Sequence, residues 1–123
     1  MAKVNAKELM MASQTGIKKL VRNNRKLGPA FGGLSAVVLD EGVLPLKTKG
    51  LLALGIAVHA GCDFCIAQHV EKSLKAGATE EEIAEACGVA ILMGGGPAVM
   101  YSSVAMNMID ELKNNEEPGG NHD

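Results

Sequence analysis

Glycine and proline cut this 123-residue chain into segments of helical length, and that punctuation limits its fold more than any other feature. The breaks fall at Gly28-Pro29, at the Asp40-Glu41-Gly42 turn before Pro45, at Ala60-Gly61, at Ala76-Gly77-Ala78 and at Gly94-Gly95-Gly96-Pro97. Between them, apolar residues recur with the period of a helix. Residues 5 to about 23 open on a capping pair, Asn5 and Glu8, and carry a stripe of Leu9, Ile17, Leu20 and Val21. Pro29 fits the first position of a second helix bearing Phe31, Leu34, Val37 and Val38. A third helix runs from Pro45 to about His59. It is apolar on most sides (Leu46, Leu51, Leu52, Leu54, Ile56, Val58), the pattern of a helix buried in a bundle or an interface. A fourth follows Gly61 at once, with Cys62, Ile66 and Val70 in an i+4 row. Thr79-Glu80-Glu81-Glu82 is a capping box that starts a fifth, where Ile83, Cys87, Ala90 and Ile91 share a face. The last spans about Pro97 to Lys113, with Tyr101, Val104, Ala105, Met108 and Leu112 on one side. Only Ala36-Val37-Val38-Leu39 is β-like. The expectation is an all-α chain: a compact bundle of about six helices forming one domain over residues 1–114, with a flexible tail over 115–123.

The chemistry concentrates in Gly61-Cys62-Asp63-Phe64-Cys65-Ile66-Ala67-Gln68-His69. If Cys62 opens a helix, Cys62, Cys65 and His69 fall at i, i+3 and i+7 and stack on one face. Two thiols at this spacing can close a disulfide within one turn. The unpaired N–H groups and dipole of a helix start favour thiolate over a free thiol of pKa ~8.5. An imidazole one turn on can accept a thiol proton. Cys62, Cys65 and His69 are therefore the candidate catalytic residues of a redox-active dithiol with a local base. Three other readings use the same residues. Cysteines in helical proteins often serve as small buried hydrophobes. Cys2His is a catalytic zinc ligand set, but no second CxxC or His pair is present to close a structural site. Covalent haem attachment needs Cys-x-x-Cys-His, and Ile66 stands where that histidine belongs. No metal and no cofactor is expected.

Composition narrows the class further. Hydrophobic residues make up 47% and charged residues 21%, which is globular rather than disordered. One Tyr, two Phe and seven Met leave a core built mainly of aliphatic side chains, a deficit that association of subunits would offset. A net charge of −2 without a basic stripe gives no reason to expect nucleic acid, and Arg22-Asn23-Asn24-Arg25-Lys26 reads as a solvated helix end. No signal peptide and no membrane span is recognisable. Three cysteines fit a reduced cytoplasm, with one redox pair and one packing thiol, Cys87.

The run Leu44-Pro45-Leu46-Lys47-Thr48-Lys49 through Cys62-Asp63-Phe64-Cys65 to His69 resembles the carboxymuconolactone decarboxylase and alkylhydroperoxidase-D-like family. So do Ala76-Gly77-Ala78-Thr79-Glu80-Glu81-Glu82-Ile83 and Gly95-Gly96-Pro97-Ala98, so that the likeness covers roughly residues 30–113. The resemblance implies an all-helical fold assembled as trimers or hexamers, with the CxxC at a subunit-facing cleft. It also implies the redox branch, since the decarboxylase branch normally lacks the cysteine pair. The redox branch commonly has a glutamate twelve residues before the first cysteine, where this chain has Gly50. Its best-studied members have a histidine where this chain has Phe64. Glu71, Glu82 and Glu85 are the acids that could stand in for the glutamate, from the same chain or from a neighbouring subunit.

The function expected is that of a thiol-dependent peroxidase or disulfide reductase, an enzyme acting on a peroxide or disulfide substrate and restored by a dithiol reductant. Two alternatives belong to other classes. One is a decarboxylase-type lyase, for which the sequence displays no general acid and no cationic carboxylate anchor. The other is a non-catalytic, redox-sensing oligomeric protein. The partners expected are further copies of the chain, neither nucleic acid nor membrane.

Overall fold

The computed structural model describes residues 5–116. They form six helices: α1 (Ala6–Asn23), α2 (Leu27–Val38), α3 (Leu46–Ala60), α4 (Asp63–Lys75), α5 (Glu80–Gly94) and α6 (Gly96–Glu116). The fold is all-α, and no strand occurs among the described residues. The β-like run from Ala36 falls in the last turn and C-cap of α2.

The breakers act as their chemistry dictates. Asn5 caps α1 by accepting the Glu8 N–H at 2.9 Å. Gly61 ends α3 at φ 71°, a left-handed conformation that glycine adopts without strain. A Cβ there would also lie 3.0 Å from the Tyr101 ring of α6. Thr79 and Glu82 form the full reciprocal capping box at the start of α5. α2 begins at Leu27, two residues earlier than expected. Pro29 still sits in the first turn, where a missing N–H costs nothing. α6 continues to Glu116, three residues past the expected end, and residues 117–123 of the expected tail lie outside the described residues.

α3 packs between α4 and α5, and α6 closes against both of those helices. Leu54, Val58, Ile66, Val70, Ile83, Met108 and Ile109 are fully buried between them. Each contributes roughly 1.5–3 kcal/mol of transfer free energy. α1 lies across α4 and α6, and its first turn is tied down where the Ala6 N–H donates to Glu111 Oε2 at 2.7 Å.

Three apolar faces stand open in the single chain. Ile17 and Leu20 of the α1 stripe are exposed, because α1 touches the bundle mainly through its N-terminal half. α3 buries Gly50, Leu54, Ala57 and Val58, while Leu52 and Ile56 on its other side face outward. α2 has no buried residue and makes no comparable packing contact with any other helix. Among the described residues, no helix is long and apolar enough to cross a membrane.

Candidate functional site

Cys62 is the N-cap of α4, in extended conformation, and its Sγ accepts the Cys65 N–H at 3.2 Å. A sulfur therefore occupies the position that an Asn or Ser oxygen takes in an ordinary cap, beside the free N–H groups of the first turn. Cys62 and Cys65 are joined as a disulfide, with Cα atoms 5.2 Å apart. Both are half-buried, and Asp63 and Phe64 between them point outward. The close pass of Tyr101 over Gly61 holds the entry to this turn against α6.

His69 follows one turn after Cys65 on α4 and is half-buried. Its Nδ1 is covered and has no hydrogen-bond partner among the described residues. Burial lowers its pKa below the ordinary 6.5, and the Lys72 ammonium lowers it further, so the ring is neutral near pH 7. Among the described residues, no hydrogen bond joins His69 to either sulfur. The three residues singled out by the sequence thus lie on α4 and its N-cap, with the cysteines bonded to each other and the histidine hydrogen-bonded to neither.

His69 instead lines a cleft of about 300 Å³ with Leu39, Leu46, Gly50, Lys72 and Lys75. Gly50 is buried against α4. A Cβ there would lie 3.0 Å from Ser73 Oγ and 3.4 Å from Ser73 Cα, which explains why no larger side chain stands at this position. Within the chain, none of the three acids that could stand in for the missing glutamate lines this cleft. Glu82 completes the capping box and pairs with Lys47 at 3.0 Å. Its carboxyl is held below the usual range first by the Thr79 N–H and then by Lys47. Glu71 lies 3.8 Å from Lys75, and Glu85 lines a different groove. The charged lining of the His69 cleft is cationic, from Lys72 and Lys75.

Sequence reading missed Lys72, Ser73 and Lys75. The available signal was the i+3 and i+4 spacing of Lys72 and Ser73 from His69, which continues its face along α4, whereas Lys75 at i+6 lies about 120° further round the helix and gave none. His59 ends α3 beside Gly94, where a Cβ would meet its ring at 3.0 Å, and it lines the groove between α3 and α5. Cys87 is buried and unpaired, its thiol pushed up by burial and partly offset by the Ser102 hydroxyl. Among the described residues, no three His, Cys, Asp or Glu side chains cluster so as to hold a metal ion.

The sequence profile of the carboxymuconolactone decarboxylase family matches residues 26–107, from just before α2 through most of α6. This chain belongs to the carboxymuconolactone decarboxylase family. Among similar family structures, a carboxymuconolactone decarboxylase family protein of Legionella pneumophila superposes with a TM-score of 0.83 at 33% identity, over 87% of this chain and 96% of that one. A family protein of Thermotoga maritima, described in connection with an antioxidative response, gives 0.76 at 28% identity over 94% and 98%. Uncharacterised proteins of Cupriavidus necator (41% identical over 68% of this chain and 74% of that protein) and Paracoccus denitrificans (34% over 84% and 93%) are also similar. The matched span of this carboxymuconolactone decarboxylase family chain holds Gly50, both cysteines of the CxxC, His69 and the cleft lysines.

Proposed function

We propose that this family member is a thiol-dependent oxidoreductase of the cytoplasm, reducing peroxides or disulfides through Cys62 and Cys65 with His69 as local base. The observation that carries this reading is the Cys62–Cys65 pair at the first turn of α4, with sulfur in the cap position. Family membership supports it. In the reduced protein the α4 N-terminus favours thiolate, and His69 one turn on is the nearby proton acceptor, a weaker base than a free imidazole because burial and Lys72 lower its pKa. A thiolate attacks one oxygen of a hydroperoxide, the O–O bond breaks, and the alcohol leaves after protonation. The sulfenic acid formed is displaced by the second thiol, releasing water and giving the disulfide. An external dithiol then takes up the oxidation and returns two electrons and two protons to the pair. With a disulfide substrate the same pair acts through a mixed disulfide. Assembly of several copies accompanies this reading, since large apolar surfaces of α2, α3 and α5 stand exposed in the single chain.

One observation favours a second reading. The cationic anchor that the sequence did not display is present, as Lys72 and Lys75 beside His69. A decarboxylase-type lyase acting on a small acid would use such a cleft, with the lysines holding the carboxylate. Steady-state turnover of an organic hydroperoxide with a dithiol reductant separates the two. The redox reading expects turnover that is abolished in both Cys62→Ser and Cys65→Ser. It is refuted if neither peroxide nor disulfide is turned over by protein with both thiols reduced.

A further inference from the structure

Helix α2 carries an apolar stripe that its own chain leaves uncovered. Leu27, Phe31, Leu34 and Val38 fall at i, i+4, i+7 and i+11, within roughly 60° of one another around the helix axis. They are 38%, 65%, 59% and 52% exposed. The helix is held only near its ends. Gly28 lies against Val21 of α1, and the Lys49 ammonium donates to the Val38 and Asp40 carbonyls at 2.8 and 2.6 Å.

The same chain has an open apolar groove, about 670 Å³ in volume, between α3 and α5. Leu52 and Ile56 form one wall and Val89 and Met93 the other, all more than half exposed. Its floor is narrow because Gly55 approaches the Ala86 carbonyl, where a Cβ would lie 3.6 Å away. From Thr48 to His59 the groove runs about 17 Å, and the twelve residues of α2 span about 18 Å at 1.5 Å per residue.

Charge gives the direction. Arg25 and Lys26 precede α2 and Asp40 and Glu41 follow it. The groove has Glu82 and Glu85 at its start and His59 at its end. Glu82 is engaged by Lys47, whereas Glu85 is exposed and forms no ion pair among the described residues.

We infer that α2 of one copy docks into the α3–α5 groove of a second copy, with its Arg25–Lys26 end over Glu85 and its Asp40–Glu41 end toward His59. This is helix-in-groove recognition, with the i, i+4, i+7, i+11 stripe as the anchor. It covers both unpartnered surfaces at one contact. Pairing of α2 with α2 would leave the groove open. The inference stands on packing and charge alone and holds whatever chemistry the cysteines perform.

Sedimentation at micromolar concentration, with the cysteine pair kept oxidised, tests it. Wild-type chain is expected to assemble. An α2 variant (Phe31→Asp with Leu34→Asp) and a groove variant (Ile56→Asp with Val89→Asp) should each run at the single-chain mass of 12.8 kDa. Mixing the two variants should restore a two-chain species, because each keeps the half that the other has lost. Arg25→Glu with Lys26→Glu should weaken assembly about tenfold or more, and adding Glu85→Arg to the same chain should recover it. The charge-reversal series touches no apolar side chain and decides the matter if an aspartate variant loses its helical circular dichroism. A monomeric wild type, a folded aspartate variant that stays assembled, a mixture that stays monomeric, or charge reversal without rescue overturns the inference.

Discussion

The contact between Gly50 and Ser73 is the tightest joint beside the candidate site, and it can be tested as a pair. Gly50→Ala adds one methyl at a buried position of α3. An alanine in a helix interior is worth about 1 kcal/mol over glycine. The new Cβ would lie 3.0 Å from Ser73 Oγ, closer than such contacts ordinarily come, so α3 and α4 must part by a few tenths of an ångström. Overpacking of this kind costs about 1–3 kcal/mol. The net expected effect is a loss of about 0–2 kcal/mol. Ser73→Ala behaves differently, because the Ser73 hydroxyl is fully buried and has no partner among the described residues. Removing it sacrifices no hydrogen bond and should be neutral or stabilise by up to about 1 kcal/mol. In the Ser73→Ala background the nearest remaining contacts of the new methyl are Ser73 Cα at 3.4 Å and Cβ at 3.7 Å, which are near ordinary packing distance. There Gly50→Ala should show its helix-propensity gain. The coupling between the two changes should be about 1–2 kcal/mol. Urea unfolding followed by circular dichroism measures it, at one protein concentration and with the cysteine pair oxidised, since association and the disulfide both move the midpoint. Equal costs of Gly50→Ala in both backgrounds would refute the reasoning. So would a loss above about 2 kcal/mol for Ser73→Ala alone, which would mean that the hydroxyl has a partner.

Three further outcomes follow from the same geometry. The His69 ring should titrate below 6.5 by NMR, and Lys72→Gln should raise its midpoint only part of the way back, since burial is the larger cause. Because the folded pKa is lowered, the unfolded chain takes the proton first. The His69 contribution to stability should therefore fall as pH drops below about 6.5, level off below the folded pKa, and vanish in His69→Gln. Cys87→Ala should cost about 1 kcal/mol and leave peroxide turnover intact, with Cys87 modified by a thiol reagent slowly in the native protein and rapidly after denaturation. Thr79→Ala should lower stability by about 1 kcal/mol in thermal or urea unfolding, and the Glu82 carboxyl should titrate nearer its usual range once the cap geometry is lost.

What the sequence disclosed depended on how local the governing chemistry is. The α5 start was legible because Thr79 and Glu82 satisfy each other within four residues. The dithiol was legible because Cys62 and Cys65 lie within one turn. α3 was not, because a helix apolar nearly all round has no periodic mark to separate Leu54, which meets the core, from Ile56, which lines the groove. The exposure of α2 was hidden for a related reason. Its stripe has the same period whether it meets its own bundle or another copy. The glycine in place of the family's glutamate was visible, but its cause was not. Gly50 meets Ser73 across 23 positions of sequence, and only the packing of α3 on α4 brings them together. The lysines of the cleft were read past because Lys72 and Lys75 look like an ordinary solvated helix end until Leu39 and Leu46 arrive from outside α4.

The charges around His69 decide how each proposed chemistry must run. A base that takes a thiol proton becomes an imidazolium, and here that cation would form half-buried, facing Lys72, with no carboxylate lining the cleft. Both features oppose it. In the thiol reading, the work of ionisation therefore falls more heavily on the α4 N-terminus, where the Cys62 sulfur already accepts the Cys65 N–H, than on the imidazole. In the lyase reading, the same lysines become an asset. A carboxylate bound between Lys72 and Lys75 would offset their field and raise the pKa of His69, making the ring a proton carrier only once substrate is in place. The position of His69, one turn after Cys65 and one turn before Lys72 and Ser73, puts it at the junction of the dithiol and the cationic cleft.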